Sequence, residues 1–390
     1  MIRKSLNLKE DIQMTLNQIK TQFPYRYDVV GSLLRPAMLK TARAQLAAGT
    51  LSAEDLTRIQ RAETKRVVQR QVELGLKAVT DGEFNRSWWH LDFLWGLTGV
   101  GHYDYQQSYK FHGSQTRTDN ADLIGRIAFN PDHPFFESFR YLQSLVPAGV
   151  VVKQTIPSPT MLFRDNRSDN WHQFYPTWDA YLDDLAQAYH DTILRFYELG
   201  CRYLQLDDTT WAYLISRLNA TQDDAVAHQE VVDLAENAVY VINRLLTGLP
   251  EDLTVTTHIC RGNFKSTYLF SGGYDDVADY LGRLHYDGLF LEYDNARAGS
   301  FAPLKKIWHN DPDKRLVLGL ITSKFPELED PATITARIHE AAEQVPLANL
   351  ALSTQCGFAS TEEGNQLTED QQWAKLKLVK RIADNVWPES

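Results

Sequence analysis

Eight short, apolar, largely β-branched runs recur along this chain, and long amphipathic stretches separate most of them. The runs are YDVVGSL (27–33), KAVTDGEF (77–84), GVVVKQTI (149–156), RYLQLDD (202–208), DLTVTTHIC (252–260), GLFLEY (288–293), RLVLGLIT (315–322) and NLALSTQC (349–356). A strand apolar on both faces must be covered on both faces, as in a parallel sheet with helices outside. The intervening segments read as those helices, over 52–75, 177–199, 223–247, 331–344 and 368–385. In the first, Ser52 fits an N-cap, Asp55 an acidic first turn and Gly75 a stop. Right-handed crossovers between eight such strands close naturally, so the expected fold is α/β, a (β/α)8 or TIM barrel.

Two segments fall outside that rhythm. Residues 1–24 read as a short helical N-terminal extension. Residues 85–148 are too long for a plain connection and carry an aromatic, Gly-rich stretch (SWWHLDFLWGLTGVGHYDYQQSYKFHG). They are expected to form an insertion after strand 2, over the barrel mouth, with a hairpin inside. Without a repeat, low-complexity tract or linker, residues 25–390 read as one domain, a single TIM barrel.

The net charge of −10 over 390 residues argues against a nucleic-acid or anionic-membrane surface. No run approaches the roughly 18 apolar residues that span a bilayer, and the polar N-terminus lacks a signal-peptide core. The expectation is a cytoplasmic protein whose three cysteines, Cys201, Cys260 and Cys356, stay reduced. Nothing in the sequence speaks to oligomeric state.

The unusual residues fall at the C-terminal ends of the expected strands, where barrel enzymes build their sites. Ser32, Asp81, Glu83, Asp207, Asp208, His258, Cys260, Glu292 and Cys356 all lie there. His258 and Cys260 are two apart on one strand and so share a face. A thiolate beside an imidazole suits zinc, and a barrel would bring Glu292 and Cys356 to the same end. A lone His-x-Cys is weak evidence for metal and reads more readily as a core cysteine beside a hydrogen-bonded histidine; Glu292 and Cys356 are what favour the metal. Cys201 precedes its strand, at the opposite face, and reads as a small buried hydrophobe. The DGEF and LDD carboxylates could be an acid/base pair, a cation site or helix caps, with Asp208 the best cap candidate. Buried Glu83 and Asp207 would want a cationic partner, such as the ammonium group of an amino acid, with Ser32 placed to meet its carboxylate.

VGSLLRP, DGEF, IPSPTML (156–162), QLDD, HIC, LEYD and QCGF occur in one order from about residue 28 to 358. That ordered set resembles the catalytic domain of the cobalamin-independent methionine synthase family, zinc enzymes that methylate homocysteine from a methylfolate. The resemblance implies a (β/α)8 barrel and a zinc ion on His258, Cys260, Glu292 and Cys356. It implies that Ser32, Glu83 and Asp207 hold homocysteine, and that IPSPTML lies near the folate.

Three departures bear on the donor. The family's N-terminal, barrel-like half has no counterpart in these residues. Lys324 aligns where the family has a histidine, and TTWAYLIS replaces the family's continuation after LDD. The expected chemistry is thiol activation with Glu292 as an exchangeable ligand. Donor protonation would fall to Lys324, or to Asp208 through water. Trp88, Trp89, Trp95, Tyr103 and Tyr105 could stack on a pterin or simply pack a lid. Other electrophiles remain open, including a methylcorrinoid, S-methylmethionine or an epoxide, as in the epoxyalkane:coenzyme M transferases. Outside that class stand a zinc hydrolase and a non-catalytic binding barrel.

Overall fold

The computed structural model describes residues 23–388 apart from 106, 107 and 112. The expected extension over 1–24 therefore lies almost wholly outside the described residues. The strands are β1 (Tyr27–Asp28), β2 (Ala78–Val79), β3 (Thr98–Asp104), β4 (Lys110–Phe111), β5 (Ser114–Gln115), β6 (Asp119–Ala128), β7 (Val151–Pro157), β8 (Tyr203–Asp208), β9 (Thr254–Ile259), β10 (Gly288–Glu292), β11 (Arg315–Ile321) and β12 (Leu350–Thr354). Eight of them form one parallel sheet in the order β1-β12-β11-β10-β9-β8-β7-β2. Its two ends meet where Thr80 Oγ1 donates to Gly31 O at 2.6 Å and Leu33 N to Gly82 O at 3.0 Å. The result is the expected (β/α)8 barrel, nearly closed by its ladders and completed by these two bonds.

The helices form where amphipathic segments carry their own caps. In α1 (Ala53–Glu73), Ser52 Oγ accepts from Asp55 N at 3.1 Å. α2 (Pro134–Ser144) starts with proline, and the His133 side chain accepts from Phe135 N at 3.2 Å. α3 (Trp178–Glu198), α4 (Thr210–Ala220), α5 (Ala225–Leu246), α6 (Pro331–Ala342) and α7 (Glu369–Val386) follow. α2 packs against α1, α3 and β7, burying Phe135, Phe136, Phe139 and Leu142. It is the barrel's own helix between β2 and β7, so the lid-like part of 85–148 ends before it. That part contains two antiparallel pairs, β3–β6 and β4–β5.

Side chains alternate across the barrel wall. Leu204, Leu206, Val255, Ile259, Leu289 and Leu291 join the large core under the helices. Val30, Phe290, Val317 and Ala351 form a small separate cluster. On the face of β8 opposite Leu204 and Leu206, Tyr203 OH donates to Asp28 Oδ2 at 2.7 Å and Gln205 Nε2 to Val30 O at 2.7 Å. Fully buried Lys153 pairs with Asp28 at 3.2 Å and sits 3.9 Å from the Phe290 ring centre. Much of the polar barrel interior at its lower end is paired internally, while Gln205 Oε1 and Thr254 Oγ1 have no partner among the described residues.

β1 and β2 are shorter than the runs read from sequence. The chain leaves the ladder at Gly31, whose φ is +147°, and at Gly82 and Glu83, with φ of +68° and +63°. A Cβ on Gly31 would stand 2.7 Å from Thr155 Cγ2. Only glycine tolerates that approach in that conformation. Ser32 and Glu83 consequently ride on turns, not on strands.

Candidate active site

Three side chains converge at the C-terminal mouth of the barrel. His258 leaves β9 toward the axis, and Cys260 follows it because its N–H still bonds Asp208 O at 2.8 Å, prolonging the ladder. Cys356 follows β12. Its sulfur lies 3.6 Å from that of Cys260, and the ligand atoms of His258, Cys260 and Cys356 all fall within 4.8 Å of one another. Two sulfurs bound tetrahedrally at about 2.3 Å would stand roughly 3.8 Å apart. The soft donor set and its spacing therefore fit zinc.

Glu292, the fourth expected ligand, is adjacent but does not belong to that group. Its Oε1 accepts from Arg261 N at 3.0 Å and lies 3.9 Å from His258 Nε2. Its buried Oε2 has no partner among the described residues.

The electrostatics couple these groups. Cys260 donates to Cys356 and holds that thiol below its usual range, against burial and with help from His258 and Lys324. The same shared proton, with burial, pushes Cys260 up. Burial alone would depress His258, but Asp207, Cys356 and Glu292 outweigh it and raise the imidazole to about 9. Its Nδ1 lies 3.4 Å from Asp207 Oδ1, and Gln355 O sits 3.0 Å from Nε2.

Beside the sulfurs is a pocket lined by Ser32, Glu83 and Asp207 as well as His258, Cys260 and Cys356. Glu83 Oε1 accepts from Thr155 Oγ1 at 3.0 Å, and Arg86 lies 3.6 Å away. Its Oε2 is buried with no partner among the described residues. Burial raises the Glu83 carboxyl; Arg86 and Arg35 oppose this, and Asp207 and Asp81 add to it. Asp81 itself accepts from Glu83 N at 2.8 Å and holds the turn. Ser32 Oγ accepts from Ala359 N at 3.4 Å. A Cβ on Gly357 would come within 1.9 Å of that oxygen, so glycine is required there.

Two expected residues are placed elsewhere. Asp208, next to Asp207 on β8, alternates to the outer face. Its carboxylate accepts from Thr210 N at 2.7 Å and Thr160 Oγ1 at 2.9 Å. It is fully buried and braces the turn into α4, whose N-cap position is Thr209 and not Asp208, and it lines neither pocket described here. Lys324 is also buried, with Nζ unpartnered among the described residues. It lines neither this pocket nor its neighbour. Cys201 donates to Tyr203 O at 3.3 Å, away from the site, and burial pushes its thiol up to about 12.

The neighbouring pocket shares Trp89, Cys260 and Ser360 with the first. The insertion supplies Trp88, Trp89, His90, Tyr109 and Phe111, and Met161 and Arg164 follow β7. Of the five aromatic residues singled out from sequence, Trp88 and Trp89 line it. Trp95 donates to Asn120 O at 3.1 Å, while Tyr103 and Tyr105 bond Asn120 and Asn166. His90, Tyr109, Arg164 and Phe264 carried no sequence signal of their own.

The chain is thus a (β/α)8 barrel with a His-Cys-Cys cluster at its mouth that could hold a metal ion. Residues 27–384 match the cobalamin-independent synthase catalytic domain, and the chain belongs to that family. It is 47% identical to the uncharacterized protein YxjG of Bacillus subtilis (strain 168), over 93% of this chain and 95% of that one. A solved Listeria monocytogenes structure, described as a candidate vitamin-B12-independent methionine synthase, is 40% identical. It covers 93% of this chain and 98% of its own, with a TM-score of 0.73. The 5-methyltetrahydropteroyltriglutamate–homocysteine methyltransferase of Lactiplantibacillus plantarum (strain ATCC BAA-793 / NCIMB 8826 / WCFS1) is 24% identical over 87% of this chain, which spans 40% of that enzyme. Among the described residues no helix is long and apolar enough to cross a membrane.

Proposed function

We propose that this chain is a zinc-dependent S-methyltransferase that converts homocysteine to methionine with a methyl group from a methylfolate. One observation carries the reading: the groups suited to an amino acid and the soft metal donors line the same pocket. His258, Cys260 and Cys356 would hold zinc, with Glu292 as the fourth ligand that gives way to substrate. Bound there, zinc supplies a Lewis acid that keeps a thiol deprotonated near neutral pH.

The chain's own residues then place the substrate. Glu83 Oε2 and Asp207 receive the α-ammonium group, which gives the buried Glu83 Oε2, unpartnered among the described residues, a charged donor. Ser32 Oγ, already accepting from Ala359 N, donates its hydrogen to the α-carboxylate. This fixes the thiol end toward Cys260 and Cys356, and positioning of that kind is worth roughly 7–11 kcal/mol in favourable cases. Trp88 and Trp89 line the neighbouring pocket, where the donor would lie. Lys324 supports negative charge on Cys356. We do not assign it donor protonation, because its Nζ reaches neither pocket.

The test is zinc stoichiometry with X-ray absorption at the zinc edge, with and without homocysteine, alongside methionine formation from several donors. One added sulfur scatterer and thiol methylation are expected. Ester or amide hydrolysis without any thiol would overturn the assignment.

A further inference from the structure

Cys260 is still held by a sheet ladder, but Cys356 lies past the end of one. Gln355 N bonds Ile321 O at 2.8 Å, and the chain then leaves the barrel wall. Side chains from three loops hold the peptide that follows. Gly357 O accepts from Asn263 Nδ2 at 2.7 Å and from Ser323 Oγ at 2.9 Å. Asn365 Nδ2 directs its two hydrogens to the same two residues, meeting Asn263 Oδ1 and Ser323 O at 2.8 Å each. Asn263 follows β9, Ser323 follows β11, and Gly357 and Asn365 follow β12. The four residues thus close a ring of hydrogen bonds across three loops.

The ring has one consistent assignment. Asn365 Oδ1 accepts from Ser266 N at 2.9 Å. A backbone N–H only donates and a carbonyl only accepts, so both asparagine amides are fixed in orientation. Gln355 Oε1 takes the Ser323 N–H at 2.8 Å, which leaves the Ser323 hydroxyl hydrogen for Gly357 O. All four residues are buried, where no water competes for these bonds. On its other side Gly357 abuts Ser32, with no room for a side chain.

We propose that Asn365 is a positioning residue for the metal site. Through Asn263 and Ser323 it sets the Gly357 peptide, and with it the separation of Cys356 from Cys260. This rests on His258, Cys260 and Cys356 holding a metal ion, and not on the reaction assigned to them. A site ordered beforehand loses less freedom when the ion arrives, so the ring acts on how firmly the ion is kept.

The experiment is transfer of zinc from the loaded protein to excess chelator, together with spectra of the cobalt(II)-substituted protein. N365A should release zinc about tenfold faster or more, and its sulfur-to-cobalt charge-transfer bands should weaken. N365D keeps the oxygen that meets Ser266 N–H but loses both donated bonds, and should behave as N365A does. N263A opens the same ring elsewhere. It should match N365A, and the double variant should exceed either by no more than about twofold, as parts of one unit are non-additive. If N365A does not fold, N263A alone decides.

Asn349 supplies the control. It is exposed to the same 9% as Asn365, and its Nδ2 also donates to two carbonyls, Pro312 O at 2.8 Å and Lys314 O at 2.9 Å. These lie before β11 and β12, at the opposite end of the barrel. N349A should lower the urea midpoint comparably while zinc release stays within about twofold of wild type. Release from N365A and N263A within twofold of wild type would overturn the proposal. Equal acceleration in N349A would overturn it too, as a sign of general loosening. Failure of the proposed reaction would show separately, as no added sulfur at the zinc edge with homocysteine while the release rates still differed.

Discussion

The sulfurs of Cys260 and Cys356 lie 3.6 Å apart although 96 residues separate them in the chain. Removing either should dismantle the metal site. C356A is expected to hold less than about a tenth of the wild-type zinc and to lose thiol methylation, as measured by elemental analysis and methionine formation. C201A should retain full zinc content. Zinc bound normally by C356A would place the metal elsewhere.

Glu83 Oε2 is buried without a partner among the described residues, which suits a substrate ammonium group. A hydrogen bond to a charged group is worth about 1.5–3 kcal/mol. E83Q should therefore raise the KM for homocysteine by roughly 10- to 100-fold with little change in the KM for the methyl donor. Equal effects on both substrates would point to general distortion.

Asp208 and Lys324 separate a structural role from an electrostatic one. Asp208 accepts two bonds in the wall of the barrel. D208N should cost about 1–3 kcal/mol of stability in urea unfolding while kcat stays within about twofold. K324M should leave substrate KM values unchanged but raise the pH at which the cysteine pair of the zinc-free protein reacts with an alkylating agent. An unchanged alkylation profile would remove Lys324 from the site.

His133 connects the lid to α2. Its ring accepts from Phe135 N and contacts Phe93 O at 2.9 Å. Burial, with the Arg86 charge adding to it and the Phe93 carbonyl opposing, lowers its pKa to about 4. The unfolded chain, with a histidine pKa near 6.5, thus binds more protons between these values. Stability should be complete above about pH 6.5 and fall toward pH 4, by at most on the order of 3 kcal/mol from this residue. H133N should flatten that slope in urea midpoints measured across the range.

Much of the architecture was legible because parallel strands buried on both faces leave apolar runs that no exposed segment imitates. All eight runs became barrel strands, and Ser52 caps α1 as its spacing indicated. Residues 134–144 were misplaced in the insertion because aromatic residues dominate that whole stretch. Their helical face emerges only when Phe135, Phe136, Phe139 and Leu142 are seen buried together. His90 and Arg164 of the neighbouring pocket were invisible for another reason: a lone histidine or arginine carries no pattern along the chain.

The sequence by itself determined the barrel, the common face of His258 and Cys260, and the opposite-end position of Cys201. These follow from periodicity along a strand, a local property. Tertiary structure alone decided that Cys356 reaches Cys260, that Glu292 stands beside the trio with one oxygen tied to Arg261, and that Asp207 enters the pocket while Asp208 turns away. Those outcomes depend on which wall of a closed barrel each residue faces and on the turns at Gly31 and Gly82, where contacts distant in the chain set side-chain direction.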